Sequence, residues 1–494
     1  MKQAFNPFLP FDNCIPDGEP HVFGDRIYLY GSHDKPCGET FCELDYEVWS
    51  APVNDLTDWS SHGTVYSAKQ DPLYSEDKKY LFAPDCVRGN DGRYYLYYAL
   101  AGWRGKGGYD GPISVAVSDR PEGPFEYYGC VHHADGTPFN DKVLFDPAVI
   151  NDDGTIRLYF GTSYFLDEGL KFPTRSLYAF IEGKIFNRPA KSLKNGDKTG
   201  AWHIRLADDM VTVLSEPSRV VPNRTNGTPF GEHAFFEGAS IRKFNGLYYF
   251  IYSSRKNHEL CYATSKYPDR GFQYGGTIVS NGDVGCRGRK KKAALTGNNH
   301  GSVEKVGDKY YIFYHRMTDK STYSRQACAE EVKVENDGSI KQVAMTSCGL
   351  NGAALKAEGE YPAAIACNLY KGKMPHVANG KKKKRVPYIT KSNGDWVIAD
   401  ISGGTVVGYK NFAFDGSVCI GIVLKGKFKG CLELYTDKKS RPMASICINV
   451  DQESYKKFSF PELKIYGDKE ICLHFFGKGS LEFSSVFFTN KARI

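Results

Sequence analysis

Four carboxylates and a histidine recur along the chain in similar short contexts: Asp17 in PDGEP, Asp85 in APDCV, Asp146 in FDPAV, Glu237 in FEGAS and His300 in NHGSV. Carboxylates facing one another across a cavity suit glycoside hydrolysis. A protonated acid gives its proton to the leaving oxygen, while an ionised one activates water or attacks carbon. A third carboxylate nearby keeps the acid's pKa raised by like-charge repulsion. Taken singly, an Asp beside Pro or Gly is a turn residue that caps local N–H groups. Taken as a ring, the five would crowd repelling charges together, and a site that uses them is the simpler account.

The elements that would position such a ring are visible as a repeat. DRIYLYGS (25–32), GRYYLYYA (92–99), TIRLYFGT (155–162), GLYYFIYS (246–253) and DKYYIFYH (308–315) are alternating aromatic and aliphatic strands, each opened by a Gly, Asp or Asn turn. Tyr28, Tyr95, Leu158, Tyr249 and Tyr311 are equivalent positions, spaced 67, 63, 91 and 62 residues apart, and the five polar residues lie ten to twelve residues before them. Each interval holds one antiparallel sheet of about four strands, and the longer third one predicts an insertion within 163–235. Units too small to bury both faces must stack around an axis, so the fold expected for residues 1–345 is a five-bladed β-propeller. Its innermost strands carry the five residues to one axial mouth. A large β-sandwich gives no reason for repetition at blade length.

Residues 346–372 break the pattern and are read as a linker packing back on the propeller. From 373 to 494, eight short segments from PYITKS to GSLEFSSVFF, with Gly, Asp and Lys turns, predict a jelly-roll-like β-sandwich. The whole chain is thus all-β. Its composition agrees, with 33 Tyr, 31 Phe and 51 Gly in 494 residues. The net charge of +7 is concentrated in RGRKKK (287–292) and KKKKR (381–385). Neither run lies on a basic helix or among interleaved aromatics, so both read as solvated loops and no nucleic-acid partner is expected. The 14 cysteines are scattered without a C-x-x-C pair, which predicts free thiols. No apolar run reaches the ~18 residues of a membrane span, and MKQAFNPFLPFDNC lacks a signal-peptide core. A cytoplasmic protein with no membrane partner is expected, unless a leader has been removed.

These residues resemble glycoside hydrolase family 43, five-bladed propellers acting on arabinose- and xylose-containing plant polysaccharides and oligosaccharides, over residues 6–345. The resemblance implies that Asp17, in the frame running to YGS, is the general base. It likewise implies that Asp146 in LFDPAVINDDG tunes the acid, and that Glu237 in FFEGASIRKFNGLYYF is the general acid. His300 in NNHGSV would sit over the channel near a water or a cation such as calcium, and Arg325 in SRQACAEEV would reach the sugar. No cofactor is required. Gly18 departs from the family's Pro, and Glu19, two residues on and therefore on the same strand face, is a rival base; the offset favours Asp17. Asp85 would bind sugar hydroxyls or cap its turn, and Phe82, Trp103, Tyr164, Phe235 and Phe236 would wall the pocket. The C-terminal unit is similar to family 6 carbohydrate-binding modules, with Trp396, Tyr388 and Tyr409 either sugar platforms or core.

The resulting expectation is an inverting exo-glycosidase that removes terminal α-L-arabinofuranosyl or β-D-xylosyl residues from hemicellulose-derived oligosaccharides. Inversion requires the two carboxyls about 6.5–9.5 Å apart. The alternatives are a sugar-binding propeller without catalysis and a retaining hydrolase of the invertase type, with carboxyls about 5–5.5 Å apart.

Overall fold

The turns that open the repeats close two-residue hairpins, as their residue types dictate. Gly24-Asp25, Asp153-Gly154, Asn245-Gly246 and Gly307-Asp308 each join two paired strands, with positive φ at Gly24, Asp153, Gly154, Asn245, Gly246 and Gly307. In the computed structural model, which describes residues 3–109, 111–163, 177, 198–377, 384–437 and 441–489, these hairpins start the blades of a five-bladed propeller.

The first blade is β1 (Glu19–Phe23), β2 (Arg26–Tyr30), β3 (Tyr46–Pro52) and β4 (Ser60–Tyr66). The second is β5 (Tyr80–Arg88), β6 (Tyr94–Ala101), β7 (Ile113–Ser118) and β8 (Glu126–Cys130). The third comprises β9 (Ala148–Asp152), β10 (Thr155–Phe160), β11 (Trp202–Leu206) and β12 (Ser218–Arg219), and its extra length falls between β10 and β11 and after β12. The fourth is β13 (Phe235–Phe244), β14 (Leu247–Ser254), β15 (Glu259–Ser265) and β16 (Gln273–Ser280). The fifth has three strands, β17 (Val303–Val306), β18 (Lys309–Met317) and β19 (Arg325–Val332). The N-terminal segment covers its outer edge: Phe8 N–H donates to the Ala327 carbonyl, and Asn6 bonds both backbone groups of Ala329. The strands β1, β5, β9, β13 and β17 touch their neighbours around the axis, and a parallel bridge between Gly18 and Gly301 joins fifth blade to first.

The C-terminal unit is one eight-stranded sheet built on two long strands. They are β25 (Thr405–Thr436) and β27 (Leu463–Thr489), flanked by β20 (Leu355–Lys356), β21 (Gly359–Pro362), β22 (Asn368–Lys371), β23 (Tyr388–Ser392), β24 (Asp395–Ile401) and β26 (Ala444–Ser459). The segments expected as separate short strands are joined: three of them run continuously through β25 and two through β27. Thirty-two residues fully extended would reach roughly 100 Å. The side chains of β25 nevertheless share one core, from Val407 to Leu434, so the strand bends. Its register slips at Tyr409/Phe412 and Val423/Leu424, and at Val418/Cys419 its pairing passes from Leu463 to Thr489, the two ends of β27.

Within the stretch read as a linker, β20 and β22 pair with β25 and β21 pairs with β27, while Leu369 N–H reaches the propeller at the Ala293 carbonyl. The sheet is clamped to the propeller by Lys410, whose ammonium lies 2.6 Å from Asp283, a carboxylate that also accepts Asn368 Nδ2. Trp396 donates Nε1 to Asp12, and Tyr409 is fully buried, so neither is a sugar platform; Tyr388 lies under the Lys320 ammonium. Arg287, from the first basic run, pairs with Glu470. All fourteen cysteines are free thiols, and no helix among the described residues is long and apolar enough to cross a membrane.

Candidate active site

Asp17 ends the turn before β1 with φ 58°, in the left-handed region that Asp tolerates better than most residues. Two groups hold it there. Its carboxylate accepts Arg325 Nη1 at 2.8 Å, and its backbone N–H donates to His315 Nδ1 at 3.3 Å. His315, on β18, donates Nε2–H to the Asn298 carbonyl at 2.9 Å, which fixes the tautomer and leaves Nδ1 as the acceptor. Burial pushes His315 down to about 3, so it is neutral. The 3.5 Å approach of Nδ1 to the Asp17 carboxylate is therefore not an ion pair.

The remaining fork of Arg325 closes on Asp34, with Nε at 2.8 Å and Nη2 at 2.9 Å, and the guanidinium is 2% exposed. Burial alone would raise the pKa of Asp17. The charges of Arg325, first, and of His300, with a hydrogen bond from Ser32, together outweigh it and hold Asp17 below the ordinary carboxylate range.

Asp146 precedes β9, also left-handed at φ 46° and nearly buried. Its carboxylate accepts Gly238 N–H at 2.8 Å, one residue beyond Glu237. Burial, reinforced by the charge on Asp17, pushes Asp146 up to about 6 against the opposing pull of His300. Glu237 is half-buried on β13, where the register slips on both sides of it, a bulge that re-aims a side chain out of the ladder. Asn257 Nδ2 lies 3.4 Å from its Oε1. Gly238, at φ 70°, allows His300 to pack close: a Cβ there would stand 3.2 Å from the imidazole. Burial disfavours a proton on His300, but Glu19, Asp146 and Asp17 together raise it to about 9.

The turn frames that look alike in sequence thus divide in space. Glu19, the rival base, accepts Arg242 Nη2 at 2.9 Å and Ser240 Oγ at 3.0 Å, and against burial Arg242 and His300 together hold its pKa below the ordinary range. Asp85 is fully buried. Its oxygens are taken by His21 Nε2 at 2.6 Å, Val149 N–H at 2.7 Å and Cys86 N–H, which corrects its expected contact with sugar. Arg325 divides its fork between the carboxylates of Asp17 and Asp34. Phe82 packs among Phe41 and Phe145 at ring distances of 6.1 and 5.7 Å, at 7% exposure, while Phe235 belongs to the core shared by the third and fourth blades. Phe236 is nearly buried and its carbonyl accepts Ser163 N–H; Trp103 is 47% exposed, beside Arg104. Tyr164 lies outside the described residues. Asp34, His315, Phe41 and Phe145 were not anticipated, although Asp34 sits in YGSHD, at the end of the first repeat.

An arginine-paired carboxylate held ionised, a second raised to about 6 and a half-buried glutamate, all on inner strands or their turns, are groups that suit a propeller of the glycosidase class. Residues 5–167 match the profile described as glycosyl hydrolases family 43. The chain is 40% identical over 462 residues to the xylosidase/arabinosidase of Thermoclostridium stercorarium, covering 90% of each, and 30% identical over 349 residues to xylosidase/arabinosidase 43A of Humicola insolens, covering 66% of this chain and 95% of that one. A family 43 β-xylosidase/α-arabinofuranosidase from a compost microbial metagenome, solved with xylotriose in a calcium-free form, superposes with a TM-score of 0.50 at 27% identity over 68% of this chain and 96% of that one. This chain belongs to glycoside hydrolase family 43 and is a glycoside hydrolase.

Proposed function

We propose that the enzyme removes terminal β-D-xylosyl or α-L-arabinofuranosyl residues from oligosaccharides with inversion, Asp17 acting as base and Glu237 as acid. The observation that carries this reading is the electrostatic split between two neighbouring buried carboxyls. Asp17 is kept charged by Arg325, while Asp146 retains a proton up to about 6. A base must be ionised at the working pH, and a tuning carboxyl must supply negative field beside the acid without displacing it. Asp17 takes a proton from the attacking water, Glu237 delivers one to the departing glycosidic oxygen, and Asp146, tied to Gly238, holds the backbone that carries Glu237; above about pH 6, once ionised, its charge keeps the acid protonated. The two relatives named xylosidase/arabinosidase and the neighbour solved with xylotriose support the sugar class.

Glu19 Oε1 and His300 Nε2 are buried, 3.7 Å apart and without a hydrogen-bond partner, and Glu19, His21 and Asp85 offer ligand atoms within 4.8 Å of one another. These residues fit a cation on the axis, where it would supply positive charge beneath the carboxylates. The proton on His300 supplies charge of the same sign. Fourteen free thiols support a reducing compartment.

Hydrolysis of nitrophenyl β-D-xyloside and α-L-arabinofuranoside, with proton NMR of the first-formed anomer, tests the reading. Inverted pentose is expected. Asp17→Asn and Glu237→Gln should each abolish turnover with the circular dichroism spectrum unchanged, and near-normal rates in either variant would defeat the assignment.

A further inference from the structure

We propose that His233, Glu259 and Cys261 form a binding site for a zinc-class divalent cation on the fourth blade, separate from the axial cluster. Glu259 and Cys261 are i and i+2 on β15 and so share a face. His233 comes down on that face from the short 3-10 turn Gly231–His233 that leads into β13. Nδ1 of His233 is 2.6 Å from Glu259 Oε1, Cys261 Sγ is 3.5 Å from the same oxygen, and Sγ is 3.9 Å from Nδ1.

In a tetrahedral zinc site, bond lengths of about 2.0–2.1 Å to N and O and 2.3 Å to S give edges of roughly 3.3 Å for N···O and 3.6 Å for those to sulfur. The two sulfur edges are already near these values, and only the N···O edge must widen.

The surroundings are those a metal site uses. Ser254 Oγ and Thr277 Oγ1 donate to Glu259 at 2.6 and 3.2 Å, and the Tyr274 ring stacks on the imidazole at 5.2 Å. Burial would raise Glu259, but the hydrogen bonds from His233 and Ser254 hold it down at about 2, so it is an anion. On binding, the Nδ1 proton gives way to one at Nε2, where Glu232 stands 3.9 Å away, and the thiol proton leaves to solvent. The His233 side chain is 25% exposed and Glu259 4%, so the fourth position opens toward water on the histidine side. A bound ion ties the entry of β13, four residues before Glu237, to β15.

The test is titration of the chelator-treated full chain with Co²⁺, read by thiolate-to-cobalt charge-transfer absorption in the near ultraviolet. The expected result is such a band, lost in Cys261→Ser, with Co²⁺ affinity reduced roughly tenfold or more in His233→Asn and stronger binding at higher pH. Absence of the band, or a band that survives Cys261→Ser, overturns the proposal. His233→Asn, at the partly exposed position, decides the matter if the serine variant does not fold: unchanged Co²⁺ affinity there refutes it.

Discussion

Replacing Arg325 by Met, which is similar in reach and uncharged, removes the cation that contributes most to keeping Asp17 ionised, leaving the weaker pull of His300. A unit charge pair about 4 Å apart at an effective dielectric of ~20 is worth about 4 kcal/mol, or roughly 3 pKa units at ~1.36 kcal/mol each. Asp17 then titrates well above its wild-type value, because burial is opposed only by the weaker charge of His300. The acid limb of kcat/KM should move to higher pH, giving a loss at pH 5 that nearly disappears at pH 8. Two buried carboxylates without their guanidinium also cost about 3–5 kcal/mol of stability, and adding Asp34→Asn should recover part of it, since Asp34 is the other anion facing Arg325. The assay is a pH series of kcat/KM on an aryl pentoside, wild type against Arg325→Met and the double variant. A loss of the same size at every pH, carried by KM, would show that Arg325 serves sugar binding and not the charge state of Asp17, and would refute the argument.

His315→Phe should lower kcat on an aryl pentoside with KM little changed, and His315→Asn, whose Oδ1 can replace the Nδ1 acceptor, should restore much of it; equal losses in both would remove the positioning role. Glu19→Gln should keep turnover, whereas a base at Glu19 would make it inactive. The same variant should lose about 1.5–3 kcal/mol of stability. The charge interactions of His300 with its three carboxylates are fully present below about pH 6.5 and vanish as pH rises through about 9, so the stability that wild type loses over this window should shrink in Glu19→Gln, as thermal melts across pH would show. Trp103→Ala should raise KM for xylo-oligosaccharides about five- to tenfold, the worth of one stacked ring, and leave kcat on the aryl pentoside unchanged; a fall in kcat would place Trp103 at the reacting sugar.

The propeller was legible because each blade opens with a turn whose residue types are required by positive φ, and because the strand that follows alternates over a constant length. The fifth blade was less legible. Its three strands are completed by Asn6 and Phe8, and no local pattern links residues about 320 positions apart. The same distance hid Asp34, which meets Arg325 across 291 residues. Asp17, Asp146, Glu237 and His300 were found by their common offset, but offset alone could not separate them from Asp85, whose difference lies in its partners: His21 from the first blade and Val149 from the third. In the C-terminal unit, glycines and charged residues suggested turns where the chain continues through β25 and β27, since a bend at a bulge preserves most of the hydrogen-bonded ladder and leaves little compositional trace.

The contact between Lys410 and Asp283 bears on whether the two halves of this molecule can be traded separately. A module joined only by a tether can be lost, duplicated or exchanged with little consequence for its neighbour. Here, excision of the sheet would leave the buried Asp283 carboxylate without its ammonium and without Asn368, and would take Trp396 and Lys391 away from Asp12. A shortened enzyme would need new groups at those places before it could stand alone. In this chain, heating should therefore melt propeller and sheet together.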